Sequence, residues 1–298
     1  MDPKHNLIGV DIGGTHIKMA AFSPEGEMLA NWHRDTGDQP TSAVPAFAET
    51  VREMLREVAA PDACVGLAAP GVAAKDERSI AYQPGKAHGI EGFDWTTFLQ
   101  REKILPVLND AHAALLGEIW CGAAIGARDA ILLTLGTGVG GAILSDGRLL
   151  RGAIGRAGHL GHVSVEENDE RSIFGMPGSL EAAIGNYSVG QRSGGRFSTT
   201  RELVDAHLAG DAAATGLWLR SVRALARAVA SFINALDPEV IIIGGGIAKA
   251  GRSLFEPLAG YLDEFEWRPG GHCVRILPAR LGEWAGACGA AWKARQQS

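Results

Sequence analysis

Apolar residues in this chain fall into short runs separated by glycine, threonine and aspartate. Leu7–Ala30 (LIGVDIGGTHIKMAAFSPEGEMLA) reads as a strand, a Gly/Thr turn, a second strand, a polar turn at Pro24-Glu25-Gly26 and a third strand. Ala130–Leu150 (AILLTLGTGVGGAILSDGRLL) repeats the pattern, with its polar turn at Asp146-Gly147. Short β-branched and apolar runs joined by such turns are hairpins. Two meanders at an offset of about 120 residues predict two related halves, each with one glycine-rich hairpin turn.

Between and beyond the meanders the period changes. Val44, Phe47, Val51, Leu55 and Val58 keep near-helical spacing and predict a helix over Ser42–Ala60. Ala63–Ala69 reads as a buried strand that stops at Pro70-Gly71, and Leu105–Leu108 as a strand that stops at Asn109-Asp110. Those two polar side chains can cap a helix over Ala111–Ala124. Further helices are predicted over Leu180–Gln191, Asp211–Leu236, about Arg252–Phe265 and from about Glu283. Strands are predicted at Val240–Ile243, which opens into Gly244-Gly245-Gly246, and at Val274–Pro278. Lys75–Asp94, Glu166–Gly178 and Arg192–Thr200 read as loops, the first two as walls or lids of a site. Meanders mixed with βα units give an α/β class.

Composition narrows the function. A 298-residue chain with 46% hydrophobic residues has ample material for one large or two linked globular domains. The net charge of −6 argues against a nucleic-acid binder, which usually carries a basic excess. No run approaches the roughly 18 apolar residues that span a bilayer. The first residues lack the apolar stretch of a signal peptide, so a cytoplasmic location is expected. Cys64, Cys121, Cys273 and Cys288 are far apart in sequence, form no CxxC pair, and read as buried free thiols.

The glycines carry the chemistry. Gly136–Gly141 (GTGVGG) satisfies GxGxxG, but the next residues form a strand and not the helix a dinucleotide fingerprint needs. No Walker loop is present. A hairpin turn can instead aim backbone N–H groups and a threonine hydroxyl at phosphate. Asp11-Ile-Gly13-Gly14-Thr15 has that chemistry, with a carboxylate at the strand end that suits Mg²⁺ and Lys18 on the next strand within reach of phosphate. Two such turns and the strand-GGG element together point to a nucleoside triphosphate.

DIGGTHIK (Asp11–Lys18), LND (Leu108–Asp110), LTLGTGVGGAIL (Leu133–Leu144), GRAGHLGH (Gly155–His162) and LDPEVIIIGGG (Leu236–Gly246) resemble, in order, the motifs of the ROK family, bacterial sugar kinases and sugar-sensing repressors. The resemblance runs from about Gly9 to about Trp292. It implies a two-lobed α/β structure of the actin-like ATPase/hexokinase (ribonuclease H-like) type, with duplicated β-meander plus βα units. The smaller lobe would comprise residues 1–110 and a C-terminal helix at about 283–298, the larger lobe residues 111–282. It implies ATP and Mg²⁺ as cofactors, a hexose as acceptor and a homodimer.

The resemblance also assigns roles. Asp110 matches the base that takes the proton of the attacking sugar hydroxyl; Asn109, His162, Glu181 and Gly71 match sugar-pocket positions. Gly13, Gly14, Thr15, Thr137 and Gly138 match the phosphate loops, and Gly244, Gly245 and Gly246 the adenosine side. Two departures stand out. Where the family has AGExGH, the Glu position is His159, which implies a different C1/C2 end of the sugar or weaker binding. Where the family has a CxCGxxGC zinc cluster, Ser172, Phe174 and Ser179 replace the cysteines, so no structural zinc is expected. The favoured expectation is a hexose kinase acting on the 6-hydroxyl of glucose or a related sugar. An N-acetylhexosamine kinase, a sugar sensor without a DNA-binding domain, and an ATPase or acyl-phosphate kinase stay open. Arg192, Arg196 and Arg201 read as solvated, Trp95 and Trp120 as core or interface residues, and His5, His33, His88, His112, His207 and His272 as surface or loop residues.

Overall fold

The computed structural model describes residues 4–36, 44–85, 87–166 and 171–297. It resolves two compact units. Unit 1 comprises Met1–Gly126, Leu149–Ala157 and Arg280–Ser298; unit 2 comprises Ala127–Arg148 and Gly158–Ala279.

Unit 1 is built on β1 (His5–Ile12), β2 (His16–Phe22), β3 (Met28–Asp35), β4 (Ala59–Ala69) and β7 (Val107–Asn109), in the order β3-β2-β1-β4-β7. β1, β2 and β3 form the antiparallel meander; β4 runs parallel to β1, and β7 parallel to β4. Helix α1 (Ala46–Val58) turns Phe47, Val51, Met54 and Leu55 onto one face of the sheet. Helices α3 (Asp110–Cys121) and α9 (Ala285–Gln296) belong to the same unit. Glycine explains how closely α9 lies on the sheet. An ideal Cβ on Gly9 of β1 would stand 1.7 Å from the Ala287 carbonyl oxygen, and one on Gly66 of β4 2.0 Å from that of Ala290.

Unit 2 repeats the plan. β8 (Ala130–Leu135), β9 (Val139–Ser145), β10 (Arg148–Leu149), β11 (Val240–Gly244) and β12 (Arg275–Pro278) form a sheet in the order β10-β9-β8-β11-β12. β8 pairs antiparallel with β9 and parallel with β11, which pairs parallel with β12. The long helix α7 (Ala212–Leu236) starts at its Asp211 cap and buries Leu217, Trp218, Val222, Leu225 and Val229 in the core of this unit. Helix α8 (Arg252–Phe265) buries Leu254, Leu258 and Leu262 in the same core. Among the described residues, no helix is long and apolar enough to cross a membrane.

Several segments depart from the sequence reading. The helix over Ser42–Ala60 is shorter, Ala46–Val58, and residues 42 and 43 lie outside the described residues. The Lys75–Asp94 loop contains β6 (Ile80–Tyr82), paired with β5 (Val72–Ala73), and leads into a short helix α2 (Trp95–Phe98) capped by Asp94. The single helix over Leu180–Gln191 is broken into α4 (Leu180–Ile184), a 3₁₀ turn at Asn186–Ser188 and α5 (Val189–Arg192). Past Gly185 the amides of Asn186 and Tyr187 bond to the carbonyls of Gly136 and Thr137 in the β8–β9 turn, in place of carbonyls one helical turn back. Helix α6 (Thr200–Leu208) follows the third loop; its cap is Thr199, and Glu202 receives the amide of Ser198, one residue before the cap, a variant of the capping box.

Candidate active site

Asp11 stands near the end of β1, beside its cross-strand partner Lys18 on β2. The turn between them carries Gly13, Gly14 and Thr15, and the Gly13 amide bonds to the His16 carbonyl at 2.9 Å. Gly14 and Thr15 are exposed, as a turn that receives phosphate must be. In the same unit the first turn of α9 presses on Asp11: a Cβ on Gly286 would lie 2.7 Å from its Oδ2. Burial pushes the Asp11 carboxyl up to about 7; the negative Asp110 adds to this and Lys18 opposes it. Lys18 also pairs with Glu283 at 3.2 Å.

Asn109 and Asp110 divide their tasks at the start of α3. Asn109 is the cap: its Oδ1 accepts from the Ala111 amide at 2.9 Å and the His112 amide at 3.2 Å. Its Nδ2 donates to the Gly71 carbonyl at 2.8 Å. The Asn109 side chain also hydrogen-bonds the Asp110 carboxylate beside it. Gly71 has φ +107°, and a Cβ there would lie 2.6 Å from the Tyr82 carbonyl oxygen, so the turn requires glycine. Asp110 is the first residue of α3, and its Oδ1 accepts from the Ala111 amide at 2.8 Å. Asp110 is exposed, yet desolvation by the protein around it outweighs the hydrogen bonds from the Ala111 amide and the Asn109 side chain and pushes its carboxyl above the usual range. The charge of Asp110 thus adds to the effect of burial at Asp11, both residues lying in unit 1.

His112 departs from the surface reading. It is buried, its Nε2–H donates to the Ala157 carbonyl at 3.1 Å, and burial holds its pKa below the usual value, so it is a neutral structural histidine. Glu118 on the same helix, wholly buried, accepts backbone N–H bonds from Ala123, Arg280 and Leu281. The sequence reading missed this anchor.

In unit 2, Glu181 on α4 is seated beneath the β8–β9 turn. Its carboxylate accepts from the Val139 amide at 3.3 Å and the Ile173 amide at 3.2 Å. Gly138 makes the seat possible, since a Cβ there would lie 2.2 Å from Glu181 Oε2. His162 Nδ1 stands 3.7 Å from Glu181 Oε1, and its ring meets Phe174 edge-on at 5.3 Å. His159 lies parallel to His162, at 3° and 6.3 Å between ring centres. His159 precedes and His162 ends a short 3₁₀ turn at Leu160–His162, which fits against β9 because Gly161 has no Cβ to strike the Val139 carbonyl. Thus His159, His162 and Glu181 come together with Gly138.

At the zinc-cluster positions the serines hold the loop themselves. Ser172 Oγ accepts from the Phe174 and Met176 amides, each at 3.1 Å, and Ser179 caps α4 through the Ala182 amide at 3.1 Å. Among the described residues, no group of three or more His, Cys, Asp or Glu is placed to hold a metal ion.

A cavity of about 650 Å³ in unit 2 is lined by Thr137, Arg201, Asp205, Gly246 and Lys249, with Val204, Leu208 and Ile247 as its apolar wall. Of the three glycines assigned to the adenosine side, Gly246 lines it. Gly244 is buried in β11, and Gly245, with φ +88°, lets the chain pass the Leu135 carbonyl, 2.3 Å from an ideal Cβ. Arg201, Asp205 and Lys249 were not singled out as site residues from sequence. For Arg201 and Asp205 the signal was the Thr199-to-Glu202 capping box, which places them one helical turn apart on α6; Lys249 follows the Gly244–Gly246 element in a 3₁₀ turn. Arg192 is not a solvated charge: it bonds to Ser221 Oγ at 2.7 Å and to the Gly185 carbonyl. Arg196 is exposed and pairs with Asp211.

The ROK family profile matches residues 7–297. A glucokinase of Thermotoga maritima is 34% identical over 310 residues, covering 97% of each chain. An N-acetylmannosamine kinase of Escherichia fergusonii is 30% identical, covering 95% of this chain and 96% of its own. Among solved structures, a ROK hexokinase from Thermus thermophilus superposes with a TM-score of 0.83 at 31% identity, covering 97% of this chain and 98% of its own. A ROK family glucokinase from Streptomyces griseus, in complex with glucose and AMPPNP, gives 0.77 at 27% identity, covering 97% and 99%.

Proposed function

This chain belongs to the ROK family, and from that premise we propose that it transfers the γ-phosphoryl group of ATP to the 6-hydroxyl of glucose or a closely related hexose, with Asp110 as the base. That it is a sugar kinase, with the actin-like ATPase/hexokinase fold, follows from the family and from relatives that cover it end to end. The sugar, the base and the cofactor contacts are the proposed part.

One observation carries the assignment of the base: Asp110 opens α3 beside the buried Asn109 cap, with desolvation raising its proton affinity. A base must bind the hydroxyl proton as it leaves, and a carboxylate with raised pKa does so better than a fully hydrated one. Asn109, whose side chain bonds the Asp110 carboxylate, would bind a neighbouring hydroxyl beside it. His159, His162 and Glu181 are the sugar-binding candidates of unit 2. Glu181 is held rigid by two backbone amides, which suits it to orient a hydroxyl with little entropic cost.

ATP fits the cavity in unit 2, where Val204, Leu208 and Ile247 offer an apolar wall for a base and Lys249 and Arg201 offer positive charge. In unit 2, Thr137 and Gly138 would receive phosphate oxygens through hydroxyl and backbone N–H groups; Gly13, Gly14 and Thr15 are the phosphate-binding candidates of unit 1. Asp11 suits Mg²⁺: burial and the nearby Asp110 disfavour its ionised form, Lys18 offsets this only in part, and a divalent cation would supply further compensating charge. When bound, the ion would neutralise charge on the phosphates.

The test is ADP release with Mg²⁺-ATP across hexoses and N-acetylhexosamines, with Asp110→Asn as control. We expect sugar-dependent turnover that falls by roughly 10²–10⁴-fold in the variant. Turnover that survives the substitution would remove Asp110 as the base. ATP hydrolysis that ignores sugar would remove the kinase reading. A second acceptor class has support of its own, since the chain is 30% identical to an N-acetylmannosamine kinase, and the same panel separates the two.

A further inference from the structure

Helices α3 and α9 approach more closely than ordinary side chains allow. A Cβ on Gly289 would stand 1.7 Å from the Ala113 carbonyl oxygen, and one on Gly117 2.7 Å from that of Ala285. This backbone contact brings together two cysteines far apart in sequence. Cys121, the last residue of α3, and Cys288, in α9, have their Sγ atoms 3.1 Å apart. We propose that Cys121 and Cys288 form an oxidant-responsive dithiol, which peroxides or low-molecular-weight disulfides close into a reversible intrachain disulfide.

The geometry demands little movement. The sulfurs must approach from 3.1 Å to a bond of about 2.05 Å, a shift within reach of small side-chain rotations. Accessibility separates the roles. Cys121 is partly exposed and Cys288 buried, so the oxidant meets Cys121 first and Cys288 resolves the product. The hydrogen bond between the thiols holds Cys121 below the ordinary thiol range, against burial and the nearby Glu118. The same bond, with burial, pushes Cys288 up, so the exposed sulfur is the one that attacks.

With hydrogen peroxide, the Cys121 thiolate takes one peroxide oxygen. The S–O bond forms, the O–O bond breaks, and hydroxide leaves to become water. Cys288 sulfur then attacks the Cys121 sulfenic acid. The S–S bond forms, the S–O bond breaks, and the departing hydroxide collects the Cys288 proton as a second water. Two electrons pass from the thiol pair to the peroxide. With a small disulfide, Cys121 forms a mixed disulfide and Cys288 displaces the remaining thiol. Either route staples the helix that begins at Asp110 to the helix whose Gly286 packs on Asp11.

The test uses the full chain with the other two thiols removed (Cys64→Ala, Cys273→Ser). It is treated with a modest excess of hydrogen peroxide, alkylated and digested. The expected result is a cross-linked peptide joining positions 121 and 288, two hydrogens lighter than its reduced parts, that dithiothreitol fully reverses. In that background Cys288→Ala should lose the cross-link and leave Cys121 as a sulfenic acid captured by dimedone; Cys121→Ser should leave Cys288 alkylatable only on unfolding. Two outcomes overturn the proposal. One is Cys121 oxidised to sulfenic or sulfinic acid without a cross-link while Cys288 is still present. The other is both thiols untouched at peroxide levels that oxidise the exposed Cys273 of the wild type. The readout is covalent, so it stands whether or not sugar turnover is found.

Discussion

At the level of single residues, the burial of Asp11, with the Asp110 charge adding to it, has a thermodynamic signature. The Asp11 carboxyl is pushed from its ordinary 3.8 up to about 7. Between those values the folded chain holds a proton that the unfolded chain has released. Stability from this group is therefore complete at low pH and is lost as pH rises through that window. Asparagine is neutral throughout and suffers no such loss. In the absence of nucleotide, the melting temperature of Asp11→Asn relative to wild type should climb from pH 4 to about pH 7 and then level off. Parallel melting curves across that range would show that Asp11 titrates normally. His159 makes a different prediction. An imidazole offers one donor and one acceptor where a carboxylate accepts twice. If its ring reads the sugar, His159→Glu should change the ratio of kcat/KM for glucose over N-acetylmannosamine by about tenfold or more, near 1.4 kcal/mol of differential binding. An unchanged ratio would place the ring outside the sugar contacts. These carboxylates and histidines were legible in the sequence because each sits beside a glycine turn or a cap. His112 was not, because a polar residue on a helix reads as outward-facing, and only the packing of α3 turns it inward onto the Ala157 carbonyl.

At the level of elements, glycine acts in opposite senses according to what surrounds it. Gly289 lies where α9 meets α3, and a methyl group there would strike the Ala113 carbonyl at 1.7 Å. Gly260 lies in α8, exposed, with nothing within 4 Å of an ideal Cβ. Alanine at position 289 should destabilise by about 1–3 kcal/mol or prevent folding, because backbone must move. Alanine at position 260 should stabilise by roughly 0.5–1 kcal/mol, because it removes only unfolded-state freedom. Urea denaturation of the two variants checks both signs, and equal effects would remove the packing argument. The same distinction marks the reach of the sequence pattern. The meanders, α7 and α8 were readable because their periods are long and their ends are punctuated by Gly, Asp or Pro. The division of α4 from α5 was not. Residues 180–191 keep helical character, yet the amides after Gly185 find better-placed acceptors in the β8–β9 turn. Nor was the β5–β6 pair, whose strands of two and three residues are too short to show alternation.

On the scale of the whole molecule, the duplication visible in the two meanders extends to sheet order and strand direction. Each unit has an antiparallel meander followed by two parallel strands. The units differ in how the chain supplies them. Unit 1 draws on three separate segments, the last being Arg280–Ser298, whereas the core of unit 2 is complete between Ile131 and Ile276. Helix α9 covers the face of β1 and β4 through Gly9 and Gly66, and it supplies Ala287, Cys288 and Ala291 to the cluster around Leu7 and Phe22. Removing residues 285–298 should therefore expose one face of the unit 1 sheet while leaving every core residue of unit 2 in place. Hydrogen exchange on the truncated chain should show amides of β1, β2 and β4 losing protection, with those of β8, β11 and α7 retaining theirs. Limited proteolysis should leave fragments of unit 2 as the resistant material. Full protection of β1 and β4 in the truncated chain would mean that α9 is dispensable to that sheet. Uniform loss across both units would mean that unit 2 needs unit 1 to fold. Chain order alone does not announce this dependence, since the last helix is 12 residues of mostly Ala and Gly with little amphipathic contrast. Its place is fixed by the glycines that receive it on β1, β4 and α3, more than 150 residues earlier in each case.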